Sequence, residues 1–277
     1  MYPIFIRIGN FAIRWYGVMI ALAVLFGIFY SRKELKKLGI DDDTFFDYAI
    51  LVIIFGVIGA RLLYIFGNIP LYYLTHPLRI LYLWEGGLSY LGIIITGFIF
   101  SYYFWKKRGN IFHKVTDIVS IPLAFGWAIG RIGCTLNGCC YGKPTGLSFP
   151  FSITFTKPEA FAPIGISLYP TQPLLSITGF ITLFILLKFK NKIKIEGGVF
   201  SLFLILYSLF TFLIEFLRGD HAPILGLTAA QWGCFLIVIF AYLFYKSSPS
   251  LKHGNEKFEN YNQDPFQLNK DDFEEKK

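Results

Sequence analysis

Residues 130–146 read GRIGCTLNGCCYGKPTG, directly after the apolar run VTDIVSIPLAFGWAIG. One arginine, one asparagine, three cysteines and five glycines stand at the end of a greasy segment. Arginine grips phosphate or carboxylate oxygens through a planar fork of N–H donors, and it stays charged when dehydrated. Cys134, Cys139 and Cys140 have C-x4-C-C spacing, which admits three chemistries. A disulfide would leave one thiol over. A structural zinc site wants four ligands, and no His–Cys partner is near in sequence. A redox pair ordinarily uses C-x-x-C. Small buried packing residues or a disulfide fit this spacing best. Cys234 lies inside another apolar run and reads as a packing residue.

Other polar residues sit in or beside apolar runs. Arg14 and Tyr16 open the first run, Arg61 lies in GVIGARLLYIF, and Glu215, Arg218, Asp220 and His221 end EFLRGDH. Gln172 precedes a fifth run and Gln231 opens the last. A charge inside a spanning segment costs roughly 2.5–3.5 kcal/mol, so each one needs a reason.

The elements that must position these groups follow from composition. Of 277 residues, 55% are hydrophobic and only 16% charged, too few polar groups to cover a soluble fold. Five stretches have the roughly 20 apolar residues that cross a bilayer: Phe11–Tyr30, Tyr48–Phe66, Gly87–Trp105, Gly198–Leu217 and Leu227–Tyr245. Val115–Ile129, with Asp117 and Pro122, and Leu174–Phe189 are shorter. The expectation is an all-α integral membrane protein of about seven spans with a small extracytoplasmic head. No cleavage site precedes Arg32, so the first span is expected to stay as an anchor.

Lysine and arginine set the orientation. One set of loops carries Arg32, Lys33, Lys36 and Lys37, then Lys106, Lys107, Arg108 and Lys114, then Lys188, Lys190, Lys192 and Lys194, then Lys246 and Lys252. The opposite set has Arg7, Arg79, Lys143 and Lys157. The N-terminus is therefore expected outside and the C-terminus in the cytoplasm. The net charge of +8 is mainly a topology signal, and a nucleic-acid partner has no support. Residues 1–246 read as one transmembrane domain with an outward insert at about 143–172, where SFPFSITFT suggests a short strand. Residues 247–277 read as a disordered cytoplasmic tail. Residues 69–84, rich in Tyr, Leu and Trp, look interfacial.

This topology gathers Arg61, Arg131, Arg218, Tyr16, Gln172 and Gln231 near the outer leaflet boundary. Arg61, Arg131 and Arg218 face few intramembrane acids, chiefly Glu215 and Asp220, so positive charge is left over. A phospholipid phosphate is the abundant anion at that depth. Snorkelling or mutual pairing explains any one of these residues equally well. The glycines fit a cavity lined by irregular backbone, while Gly92 and Gly97 fit close helix packing just as well.

With these residues assembled, the chain resembles the prolipoprotein diacylglyceryl transferases of bacterial inner membranes. The resemblance covers about residues 11–245 and rests on IRWYG, GARLLY, WEGGLSYLG, GRIGCTLNGCCYGKPTG, YPTQ, EFLRGD and LGLTAAQ, in that order. It implies transfer of the diacylglyceryl group of phosphatidylglycerol to the thiol of a lipobox cysteine in a prolipoprotein, with glycerol phosphate leaving. It implies no metal or organic cofactor. By motif position it makes Arg131, Arg218 and Tyr16 catalytic, and Arg131, Asn137, Gly138, Gly142, Arg61 and Gln172 substrate-binding. The family's usual histidine position holds Leu91, and Cys134 and Cys139 stand where asparagine and an acid are common. Tyr16, Glu215, Asp220 and His221 are then the remaining candidates for a base. Rival readings are a membrane thiol oxidoreductase using the three cysteines, a transporter, and a non-catalytic lipid-binding relative.

Overall fold

The computed structural model describes residues 3–9, 11–68, 70–82, 87–220 and 223–252. His221, residues 84–86 of WEGG, parts of the segment 69–84 and the tail beyond residue 252 fall outside this set. In chain order the elements are β1 Ile4–Ile8, β2 Phe11–Arg14, α1 Trp15–Lys37, α2 Asp42–Asn68, α3 Pro70–Thr75 and a 3₁₀ turn Pro77–Leu81. Then come α4 Tyr90–Lys106, α5 Phe112–Asn137, β3 Ile153–Thr154, β4 Ser167–Leu168, α6 Thr171–Phe189 and α7 Gly198–Glu215. The chain ends with β5 Pro223–Ile224, β6 Leu227–Thr228, α8 Ala229–Lys246 and α9 Pro249–Lys252.

Among the described residues, six helices are long and apolar enough to cross a membrane: α1, α2, α5, α6, α7 and α8. α4 has 17 residues, at the lower limit for a span. Their outer faces are apolar. α8 exposes Phe235, Leu236, Ile239, Tyr242 and Leu243, a surface that lipid tolerates and water does not.

Three boundaries differ from the sequence expectation. Phe11–Arg14 is a strand, because the β-branched and aromatic runs IFIRI and FAIR pair across a turn at Gly9. α1 therefore begins at Trp15. α5 extends well past Ile129, so Arg131, Cys134 and Asn137 are helical residues. No breaker intervenes until Gly138, whose φ of +75° closes the helix. The amides of Gly138 and Cys139 there bond back to the carbonyls of Thr135 and Cys134, a Schellman arrangement. α6 begins at Thr171, which places Gln172 inside the helix. The strand expected in SFPFSITFT is present as β3, paired antiparallel with β4.

The chain divides into two compact units, Met1–Ser31 with Thr116–Lys277, and Arg32–Val115. In the first, small residues let helices approach. A Cβ on Gly133 would meet the Tyr16 Cα of α1 at 3.1 Å, and one on Gly179 the Ala128 Cα of α5 at 2.8 Å. Ser176 Oγ donates to the Ala128 carbonyl at 2.9 Å, tying α6 to α5. Ser201 Oγ donates to the Ala241 carbonyl at 3.2 Å, tying α7 to α8. Asp117, an unexplained acid in the sequence, accepts from the amides of Gly197 at 2.7 Å and Phe200 at 2.9 Å. It caps α7 from a neighbouring helix, answering N–H groups that have no intrahelical partner. The loops between α5 and α6 build a small head whose core is Phe155, Ala162 and Leu168.

In the second unit α2 packs on α4. A Cβ on Gly92 would lie 2.4 Å from the Gly59 carbonyl oxygen, and the Ser89 amide bonds the Ala60 carbonyl at 3.0 Å. The close-packing reading of Gly92 is thus the structural one. Gly92→Val should destabilise this contact by about 1–3 kcal/mol, the usual cost of overpacking. A lower thermal midpoint of the purified protein in detergent checks it.

Candidate functional site

The site residues of the first unit gather where α5 ends, α6 begins, α7 ends and α8 begins. Each is placed by a traceable bond. Asn137 is the last residue of α5, and its Oδ1 accepts from Arg14 Nη1 at 2.9 Å. Arg14 also donates to the Glu159 carbonyl at 3.3 Å and stacks over Phe161, whose amide bonds the Asn137 carbonyl at 3.3 Å. Arg14, which the sequence placed only at the mouth of the first span, therefore pins β2 to the signature and to the head loop. The sign was its place in IRWYG, but nothing there names Asn137 as its partner.

The loop after Asn137 is held from two sides. Gln172, fully buried, donates through Nε2 to the Cys139 carbonyl, and Thr171 Oγ1 donates to the Cys140 carbonyl at 3.0 Å. From the other side the Lys143 amide bonds the Leu217 carbonyl at 2.8 Å and the Gly219 amide bonds the Tyr141 carbonyl at 3.1 Å. Gly142 bridges to Arg218 in this crossing, and a Cβ there would sit 2.4 Å from the Tyr169 carbonyl oxygen. Gly138 is needed for its positive φ and Gly142 for backbone approach. Gln172 fixes the loop, since its amide nitrogen is committed to backbone.

The arginines divide by partner. Arg218 is 6% exposed. Its Nε and Nη2 grip both oxygens of Asp220 at 2.9 Å, and its Nη1 lies 3.5 Å from Glu215 Oε2. Glu215 is buried and also accepts from Thr228 Oγ1 at 3.1 Å. Thr228 caps α8 in a capping box with Gln231, whose Nε2 reaches the Phe212 carbonyl at 3.2 Å. Arg218 thus takes up the acids expected to leave charge unanswered. Arg131 differs. Among the described residues it makes no ion pair and no side-chain hydrogen bond. Its charge acts electrostatically on Tyr16, Cys134, Cys140 and Tyr207.

Arg61 belongs to the second unit and is buried. It donates to the carbonyls of Ile80 at 2.9 Å, Gly87 at 3.1 Å, Arg79 at 2.6 Å and Tyr82 at 3.3 Å. With these donors so used, it is a clamp on the backbone at Arg79, Ile80, Tyr82 and Gly87. Leu91 is exposed on α4 of the same unit.

The three signature cysteines are free thiols, not a disulfide. Their Sγ atoms lie within 4.8 Å of one another. Cys140 has a φ of +57°, an uncommon backbone for a side chain of this type. The neighbouring Cys134 and Cys139 thiols, then the charges of Arg131 and Arg218, lower the Cys140 thiol below its usual range despite burial. Tyr16 of α1 lies against Gly133, one residue before Cys134, and is 41% exposed. The described residues of this unit include no histidine.

Apolar helices whose ends carry three thiols, a tyrosine and Arg131, which has no ion pair among the described residues, define a multi-pass membrane protein with a candidate site at its helix termini. The chain belongs to the prolipoprotein diacylglyceryl transferase family, whose sequence model matches residues 3–246. Three relatives carry the name phosphatidylglycerol–prolipoprotein diacylglyceryl transferase. The protein of Clostridium tetani is 39% identical over 88% of this chain and 97% of its own length. That of Bordetella avium is 34% identical over 83% and 88%, and that of Halalkalibacterium halodurans 34% over 87% and 84%.

Breaking the Arg218 network should show in stability. Glu215→Gln leaves a buried guanidinium underpaired, at a cost of about 3–5 kcal/mol. The paired change Glu215→Gln with Arg218→Met should recover part of that loss. Chemical denaturation in detergent reads both.

Proposed function

We propose that this chain transfers the diacylglyceryl group of phosphatidylglycerol to the thiol of a lipobox cysteine in a prolipoprotein, in a bacterial inner membrane. The observation that carries the reading is Arg131, a cation without an ion pair among the described residues, at the end of an apolar helix in a chain of this family. Such a charge is favourable at membrane depth when an anion answers it. The phosphate of an anionic lipid supplies two oxygens to its fork.

The reaction is a displacement at the glyceryl carbon that bears the phosphate. The thiolate sulfur forms the new S–C bond. The C–O bond breaks, its electron pair goes to the phosphate oxygen, and glycerol phosphate leaves. The proton of the thiol ends in solvent or on the leaving phosphate. Arg131 stabilises the charge that grows on that phosphate, and its field favours the ionised thiol, since the thiolate is the nucleophile. Tyr16, partly exposed beside Gly133, is positioned to relay that proton. Arg218 acts through the loop it holds: its fork is closed on Asp220, so it positions Gly142 and the cysteine loop and does not itself meet the lipid. Asn137, Gly138, Gly142 and Gln172 hold the same loop. No metal or organic cofactor takes part in this displacement.

Seven crossings complete the reading, with α4 as the third; at roughly 1.5 Å per residue, its 17 residues reach about 25 Å. The lysine-rich ends of α1, α4, α6 and α8 face the cytoplasm. The N-terminus and the site face outward, where both the lipid and the exported substrate are found.

Arg131→Ala should lower transfer from phosphatidylglycerol to a lipobox peptide by about 10²–10³-fold while membrane insertion is unchanged. Mass shift of the peptide is the readout, and full turnover would remove Arg131 from the mechanism. Cys139→Ser should retain transfer, whereas a thiol oxidoreductase would lose its activity.

A further inference from the structure

The three thiols do nothing in this displacement, yet the fold goes to some length to bring them together. Cys134 faces inward from the last turn of α5. Cys139 and Cys140 are turned back toward it by the left-handed residues Gly138 and Cys140. Their carbonyls are fixed by Gln172 and Thr171, so the loop cannot rotate the thiols apart without breaking those bonds. The result is three sulfurs from one short segment, all free, and none more than 4.8 Å from another.

We propose that Cys134, Cys139 and Cys140 form a three-thiolate site for a thiophilic d¹⁰ divalent ion of the zinc class, and that filling it inhibits transfer. The distances favour a metal over a disulfide. An ion with bonds of about 2.3 Å to three sulfurs holds them roughly 4 Å apart. The observed cluster needs to contract by less than about 1 Å, whereas a disulfide draws two sulfurs to about 2.05 Å and strands the third. Soft thiolate ligands select such ions over magnesium or calcium. Binding requires all three sulfurs as thiolates, so the protons still held by the thiols go to solvent, and the centre has net charge −1. Arg131 and Arg218 both act electrostatically on Cys140, so that charge has positive neighbours. Tyr16 interacts with all three thiols, which leaves a fourth ligand position to it or to water.

The inhibitory step rests on the transferase reading, but the binding does not. A centre of charge −1 beside Arg131 competes with the lipid phosphate for the same guanidinium.

The test uses the purified, reduced full chain in detergent, titrated with Cd(II) and followed by its ultraviolet thiolate-to-metal charge transfer. One ion per chain, release of the protons still held by the thiols, and displacement by Zn(II) are expected. Cys139→Ser and Cys140→Ser should each weaken binding by at least roughly 10–100-fold, and Cys234→Ser should leave it unchanged. Equal thermal midpoints show that the serine variants are folded. No charge-transfer band at one equivalent, a band that survives both variants, or conversion of the thiols to a disulfide would each overturn the site. In the transfer assay, stoichiometric Zn(II) should slow the unaltered chain at least tenfold and spare Cys140→Ser. Metal binding with an unchanged rate defeats the inhibitory step alone. A chain inactive without metal defeats the transferase reading and leaves the spectra to judge the site.

Discussion

Arg218, almost wholly withdrawn from solvent between Asp220 and Glu215, is the interaction on which the arrangement of the site rests. A guanidinium out of water requires oxygens around it, and satisfying them fixes the ends of two helices and a loop. Glu215 terminates α7, Thr228 begins α8 and shares the same carboxylate, and the backbone beside Arg218 bridges to Gly142. The cysteine loop thus inherits its position from an ion pair some 75 residues further along the chain. Buried pairs of this kind contribute less to net stability than their geometry suggests, and their best-supported use is to specify one arrangement over others.

The arginines illustrate how one residue type takes different roles by what it meets. Arg61 meets carbonyls and becomes a clamp. Arg218 meets carboxylates and becomes a keystone. Arg14 meets an amide oxygen and an aromatic face and becomes a pin. Arg131 meets none of these among the described residues, and this leaves its donors for a ligand. Residue type is common to all four. Partnership alone separates them.

That difference marks where sequence reading ends. The apolar runs were legible because length and composition carry the signal for a membrane helix, and six of them appear as helices of spanning length. The strand in SFPFSITFT was legible from its aromatic and β-branched residues. The N-terminal hairpin was not, since FAIR is apolar enough to merge with the helix that follows. The end of α5 was read too early because glycine and arginine suggest a break, whereas Gly130 and Gly133 serve packing against α1. The candidate site residues were named from motifs, and the structure brings most of them to one end of one unit. The assignment of roles was not legible. It depends on contacts between residues far apart in sequence, such as Arg14 with Asn137 and Gln172 with Cys139.

Asp117 carries a consequence for how the molecule is made. A helix start inside a bilayer has amides that lipid cannot satisfy, at several kcal/mol each. The start of α7 is satisfied by a carboxylate that leaves the ribosome some 80 residues earlier. Until α7 is synthesised, that carboxylate has no amides to meet, and until α5 is in place, α7 has no cap. The two helices therefore complete each other only once they are docked.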